Sequence, residues 1–214
     1  MTKFPTVLRG LLAVCATFLP MALWATQGSD EQKEYVDLGL SVKWATTNVG
    51  ATSVTDGGTH FSWGDQVSIT NRPYCYCYNS ELDSLGHLPP WVDTATALWG
   101  EGWRMPTAEE LAELANDENC RWEWDSKEKG FWVISLKKGF EGRRIFLPAA
   151  GLRDYSNAHY NFNKYGYLWS GERYDSYRAK LLIFGYDNQQ TLKFNAENSR
   201  LNGANVRPVR KEKR

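Results

Sequence analysis

From Leu11 to Trp24 the chain is uncharged and almost entirely apolar, and polar sequence resumes at Gln27. Before this run stands a short acid-free segment, Met1 to Gly10, carrying Lys3 and Arg9. After it comes Ala22-Leu23-Trp24-Ala25-Thr26, rich in small residues. Basic, then apolar, then small is the order of a secretory signal peptide, expected over residues 1–25 with cleavage after Ala25. The apolar stretch of about 14 residues is too short to span a hydrocarbon core of about 30 Å, so no integral membrane segment is expected after cleavage. The protein is expected to be exported, to the periplasm, the cell surface or the medium. Leu12-Ala13-Val14-Cys15 has the outline of a lipobox. Val14 is not small, however, and the apolar run continues past Cys15, which argues against lipidation.

Beyond a polar lead-in at residues 26–34, the pattern changes to short bursts of aromatic and β-branched residues. Strands are expected over Ser41–Trp44, His60–Trp63, Phe131–Leu136, Arg144–Leu147, Leu181–Phe184 and Val206–Val209. Long stretches of Gly, Asn, Asp and Tyr separate them. Two segments read as helices. Val92–Trp99 is short and alanine-rich. In Pro106-Thr107-Ala108-Glu109-Glu110, Thr107 is placed as N-cap and Glu110 at the third helical position, a capping box. Leu111, Leu114 and Ala115 then form an apolar stripe at helical spacing. Two short helices, short antiparallel strands and long loops predict an α+β class. No linker, low-complexity tract or repeat interrupts residues 35–210, which are expected to form one domain, followed by a basic tail at 211–214.

Charge narrows the field. The chain has 25 basic and 25 acidic residues, and two of the basic ones lie in the signal segment, leaving a net of −2 after cleavage. No single-sign field is available to recruit nucleic acid. Without Cys15 three cysteines remain, Cys75, Cys77 and Cys120. Cys75 and Cys77 are too close to bridge without strain, so one of them could pair with Cys120 or all could be unpaired. A metal site from these cysteines and His87 lacks a second paired-ligand spacing, and no metal is expected. The ten tryptophans, one of them in the signal segment, are expected to be structural, among them Trp44, Trp63, Trp99, Trp103, Trp132 and Trp169.

Three blocks carry a family likeness. The first is Glu34-Tyr35-Val36-Asp37-Leu38-Gly39-Leu40-Ser41-Val42-Lys43-Trp44-Ala45 and on to Ala51, with Phe61-Ser62-Trp63-Gly64-Asp65 after it. The second is Trp99-Gly100-Glu101-Gly102-Trp103-Arg104-Met105-Pro106-Thr107. The third is Ile145-Phe146-Leu147-Pro148-Ala149-Ala150-Gly151, then Gly166-Tyr167-Leu168-Trp169-Ser170 and Val206-Arg207-Pro208-Val209. In this order they resemble the Fibrobacter succinogenes major paralogous domain family, found in exported proteins of Bacteroidota. The likeness covers roughly residues 34–210 and implies a C-type-lectin-like fold. Thr47 stands where that family often has cysteine, removing a disulfide partner. The Trp103–Thr107 turn also looks like the matching turn of formylglycine-generating enzymes. The resemblance brings a fold and no activity, and fold alone does not transfer function.

The candidate chemistry is thin. The cysteines of formylglycine-generating enzymes lie near the C-terminal end of the domain, and this chain has none after Cys120. His60, His87 and His159 stand in no nucleophile motif, so no catalytic residues are assigned and an enzyme is not expected. The Glu-Pro-Asn, Gln-Pro-Asp and Trp-Asn-Asp triplets of calcium-dependent lectins do not occur. Asp154, Asn157, Asn161 and Asn163 offer one carboxylate and three amides, too weak a set for calcium to be favoured. What remains is recognition by loops. The segment Arg153–Gly166 mixes tyrosine, for contact area, with asparagine, for adaptable hydrogen bonds. Tyr155, Asn157, Tyr160, Asn161, Asn163 and Tyr165 are the candidate ligand-binding residues, with an ordinary loop as the competing reading. Tyr74–Tyr78 with Pro89-Pro90-Trp91 is a second candidate surface. The expected function is binding of a glycan or protein; a structural part of an envelope assembly is the alternative, an enzyme the third. Trp103–Thr107, Trp169 and Arg207 are assigned to the fold.

Overall fold

A computed structural model describes residues 33–71, 82–83, 86–188 and 190–210. The expected signal peptide with Cys15, most of the lead-in, Cys75, Cys77, the Tyr74–Tyr78 stretch and the basic tail lie outside the described residues.

Eleven strands and two α-helices make an antiparallel α+β architecture among the described residues. Strands β1 (Tyr35–Val36) and β2 (Lys43–Ala45) pair with each other, and β11 (Val209–Arg210) completes their sheet from the far end of the domain. A second sheet is the meander β3 (Cys120–Asp125), β4 (Gly130–Ser135) and β5 (Arg144–Pro148). A third joins β8 (Tyr165–Arg173), β9 (Arg178–Asp187) and β10 (Gln190–Ser199) in the order β10-β9-β8. The two-residue strands β6 (Leu152–Arg153) and β7 (His159–Tyr160) close a small hairpin.

The β8–β9 pair divides two cores by its own alternation. Leu168, Leu182 and Phe184 face Trp44, Leu111, Trp122 and Phe131. Tyr167, Trp169 and Leu181 face Phe61, Trp63, Met105 and Val206. A strand buried on both faces carries no polar positions at every second residue, which is why β8 is not foretold by periodicity. Trp44, Trp63 and Trp169 are fully buried and Trp103 nearly so, as a structural role requires, while Trp99 and Trp132 are half-buried. The Trp169 indole donates to the Phe61 carbonyl at 2.9 Å, tying β8 to the Phe61–Trp63 segment.

Both expected helices form. Helix α1 (Thr94–Trp99) starts two residues later than the apolar pattern suggests, because Asp93 caps it by accepting from the Thr96 N–H at 2.9 Å. Buried Asp93 also accepts from the Met105 N–H at 2.9 Å, and burial pushes its carboxyl up despite these bonds. Helix α2 (Ala108–Ala115) has the reciprocal capping box: the Glu110 N–H donates to Thr107 Oγ1 at 3.1 Å and the Thr107 N–H to Glu110 Oε2 at 2.9 Å. Glu110 is engaged further by Arg104, at 2.6 and 2.8 Å.

Three expected strands need correction. His60–Trp63 makes only one ladder rung, Phe61 with Ala204. Over Val206–Val209 only the last residue is in a strand; Pro208 has no N–H to donate, and Val206 and Pro208 serve as acceptors for Val49 and Ala45. Ser41–Trp44 shortens and shifts to Lys43–Ala45, since the Ser41 N–H is taken by Glu113. Cys120 is a free, buried cysteine among the described residues. Among the described residues no helix is long and apolar enough to cross a membrane.

Candidate functional site

The loop that follows Arg153 is built around one carboxylate. Asp154 Oδ1 accepts from the Ser156 N–H, the Ser156 hydroxyl and the Ala158 N–H at 2.8, 2.7 and 2.9 Å. Its other oxygen accepts from the Tyr160 hydroxyl at 3.0 Å. The Ser156 hydroxyl and these further donors hold the carboxyl below its ordinary range. An aspartate two residues before its partner N–H is the Asx-turn arrangement, so the sequence Asp154-Tyr155-Ser156-Asn157 closes this turn by itself. Asn157, Asn161 and Asn163 take positive φ, at 67°, 57° and 63°. Asparagine tolerates that region better than most residues that carry a side chain.

The candidate residues therefore separate into two groups. Asn157 and Asn161 turn the chain: Asn157 Oδ1 accepts from Arg153 at 3.1 Å, and Asn161 Nδ2 donates to the Tyr167 hydroxyl at 2.6 Å. Tyr165 is half-buried against Gly185 and donates to Asp187 at 3.3 Å, so its ring belongs to the β8–β9 sheet. Tyr155 and Tyr160 point outward, 71% and 50% exposed, and so does Phe162 at 58%. Phe162 is a member of the site not foreseen from the sequence, although it sits inside the candidate segment. Asn163 anchors the loop through its N–H to the Ala149 carbonyl at 2.9 Å and lines the adjoining cleft.

That cleft, about 480 Å³, lies under the loop. Arg153, His159 and Phe162 form one side, with His60, Asp56 and the Glu128-Lys129 pair around the rest. The two imidazoles meet edge to face with centroids 5.3 Å apart. Both reach the same backbone oxygen: His159 Nε2 is 2.8 Å and His60 Nε2 3.1 Å from the Ala150 carbonyl, and His60 is also 3.2 Å from that of Gly151. Carbonyls only accept, so each Nε2 carries a hydrogen. Burial is the main force pushing the His60 pKa down, to about 4, with the neighbouring His159 and Arg153 adding to it. His60 is thus a neutral donor at physiological pH. Gly151, at φ 71°, has no room for a side chain: a Cβ there would stand 2.5 Å from the Tyr160 carbonyl oxygen and 2.8 Å from His159 Nε2.

A second cleft, about 380 Å³, lies at the start of α2. There His87 Nδ1 is 2.9 Å from Asp83 and its Nε2 3.7 Å from Glu172, while Glu172 accepts from Lys180 at 2.7 Å and from the Ala108 N–H at 2.8 Å. These contacts link Asp83 and His87 to Glu172 of β8, and Glu172 to the start of α2. No serine, threonine or cysteine among the described residues is hydrogen-bonded to any of the three imidazoles. Nor, among the described residues, do three histidine, cysteine or acidic side chains converge as a metal-ligand set. Trp91, from the second candidate surface, is 72% exposed.

No protein-family model matches the chain, and no curated protein or solved structure matches it. Its own geometry carries the functional reading.

Proposed function

We propose that this chain is an exported binding domain of C-type-lectin-like fold that recognises a glycan or a protein through the loop over residues 154–164. The likeness of its ordered sequence blocks to the Fibrobacter succinogenes major paralogous domain family supports the fold, and the antiparallel α+β architecture is compatible with it. The observation that carries the binding reading is the display of Tyr155, Tyr160 and Phe162 on a loop already held by its own bonds to Asp154. Large aromatic rings on a pre-set backbone lose little entropy on binding, and aromatic faces stack on sugar rings. Binding is preferred to catalysis because the imidazoles of the cleft direct their donors to backbone carbonyls rather than to a nucleophile.

The test is a glycan array probed with the mature domain, with and without calcium, beside a Tyr155→Ala/Phe162→Ala double variant. Both side chains are exposed, so the variant should keep the wild-type melting temperature. Selective binding that the variant loses is the expected result. Equal binding by the two proteins would remove the loop from the recognition surface.

A structural role in an envelope assembly has one observation of its own in its favour. Strand β10 is ten residues long and pairs only with β9 among the described residues, so its outer edge is open to another strand. Co-purification with envelope proteins, unaffected by the double variant, would favour that reading.

A further inference from the structure

We infer that the cleft beneath the loop binds the negative charge of an acidic glycan, a carboxylate or a sulfate ester held by Arg153 and Lys129. The inference deepens the binding reading above and rests on it.

Four charged side chains line the cleft, Asp56, Glu128, Lys129 and Arg153. Both acids are already engaged. Asp56 Oδ1 accepts from the Gly58 N–H at 3.0 Å, and its Oδ2 accepts from the N–H and hydroxyl of Thr52 at 2.8 and 2.9 Å. Those donors hold its carboxyl below the ordinary range. Glu128 is paired with Lys127 at 3.3 Å. The acid next to Arg153 in sequence, Asp154, is consumed by the turn.

The two cations are not matched in the same way. Among the described residues the Arg153 guanidinium bonds only Asn157, through one terminal nitrogen, to the carbonyl at 3.2 Å and to Oδ1 at 3.1 Å. Both acceptors are uncharged, and the remaining N–H groups of the fork are left for a ligand. The Lys129 ammonium has neither an ion pair nor a side-chain hydrogen bond among the described residues. Its backbone is nevertheless fixed, at φ 55°, by bonds from its N–H to the Asp125 carbonyl and from the Ala149 N–H to its own carbonyl, each 2.9 Å. The fixed backbone sets where the Lys129 side chain leaves the main chain, at the rim of the cleft. The His159 ring lies beside Phe162, with centroids 4.9 Å apart, and walls the cleft next to Arg153. Phe162 and Tyr160 offer faces for the sugar while the cations take the charge. The volume, about 480 Å³, falls within the roughly 300–1,000 Å³ typical of small-ligand sites.

The experiment titrates the mature domain with three sets of oligosaccharides: polygalacturonate, with carboxylates only; κ-carrageenan, with sulfates only; and neutral amylose. Wild type is compared with Lys129→Gln and with Arg153→Lys, each checked by a thermal melt. At least one charged set should bind at least about tenfold more tightly than amylose. That affinity should fall several-fold between about 20 and 200 mM NaCl, as screening of exposed charge requires. Lys129→Gln should weaken it about tenfold with no change in melting temperature, and Arg153→Lys should weaken it less. Which charged set wins separates a carboxylate from a sulfate ligand. Equal binding of charged and neutral chains, or full affinity in Lys129→Gln, overturns the inference while leaving loop recognition of glycans in place. Absence of binding to both charged sets also overturns it; binding of a protein through Tyr155 and Phe162 would then still uphold the broader reading.

Discussion

Arg207 donates its Nε hydrogen to Asn48 Oδ1 at 2.8 Å, across 159 residues of chain, with the guanidinium fully buried. Its terminal nitrogens donate to the carbonyls of Ala45 and Phe146 at 2.9 and 2.8 Å. One planar cation thus clamps the end of β2, the turn after it and strand β5 of the second sheet. No carboxylate is among these partners, and burial pushes the Arg207 pKa down, to about 9. It stays charged at neutral pH, held by neutral oxygens alone.

Replacing Arg207 with methionine strands three buried acceptors at once. Each buried acceptor left without a donor costs about 1–3 kcal/mol, so the loss should be at least about 3 kcal/mol. Arg207→Lys should recover little of it, since one ammonium cannot reproduce the fork. Urea midpoints of the two variants measure this; a midpoint near wild type for either would refute the clamp.

Trp169→Ala opens a hole between Phe61, Trp63 and β8 and leaves the Phe61 carbonyl without its indole donor. A loss of about 3–5 kcal/mol is expected, read as a drop in melting temperature. An unchanged melting midpoint would contradict the structural assignment of this residue.

His60 predicts a particular pH dependence. Its folded pKa, about 4, lies below the unfolded value of 6.5, so the unfolded chain binds the extra proton between the two. Stability linked to His60 is complete above about pH 6.5 and is lost as pH falls toward 4, by about 2 kcal/mol between pH 7 and pH 5. Acid-induced loss should therefore be smaller in His60→Gln than in wild type over that window. Parallel stability curves for the two proteins would refute the assignment.

Asp154→Ala removes the acceptor for four donors in the loop, yet touches neither core. The melting temperature should change little, while amide exchange at Ser156 and Ala158 should speed up and loop-dependent binding should weaken. Unchanged exchange at these two amides would show that the carboxylate does not hold the turn.

Local chemistry was the most readable part of the sequence. The α2 capping box needs only residues 107–110, and it forms as its spacing requires. Strand β3 was equally open to reading, since buried Cys120 and Trp122 alternate with exposed Arg121 and Glu123, although no strand was predicted there. Strand β10 is a different matter: Gln190 to Ser199 is mostly polar and half-exposed, and only its ten-residue ladder with β9 makes it a strand. Within the candidate loop, tyrosine and asparagine look alike as binding residues. Backbone conformation separates them, assigning turn positions to the asparagines and display to Tyr155 and Tyr160. The cleft was not legible at all, because Asp56, His60 and Lys129 meet Arg153 only through long-range folding.

Leu168 and Trp169 are adjacent in β8 and belong to opposite cores. Neither half of the domain can melt while the other keeps its packing, because the shared β8–β9 pair supplies a wall to both. Heating or denaturant should therefore meet a single cooperative unit with one sharp transition, and a lesion in either core should be felt across the whole fold.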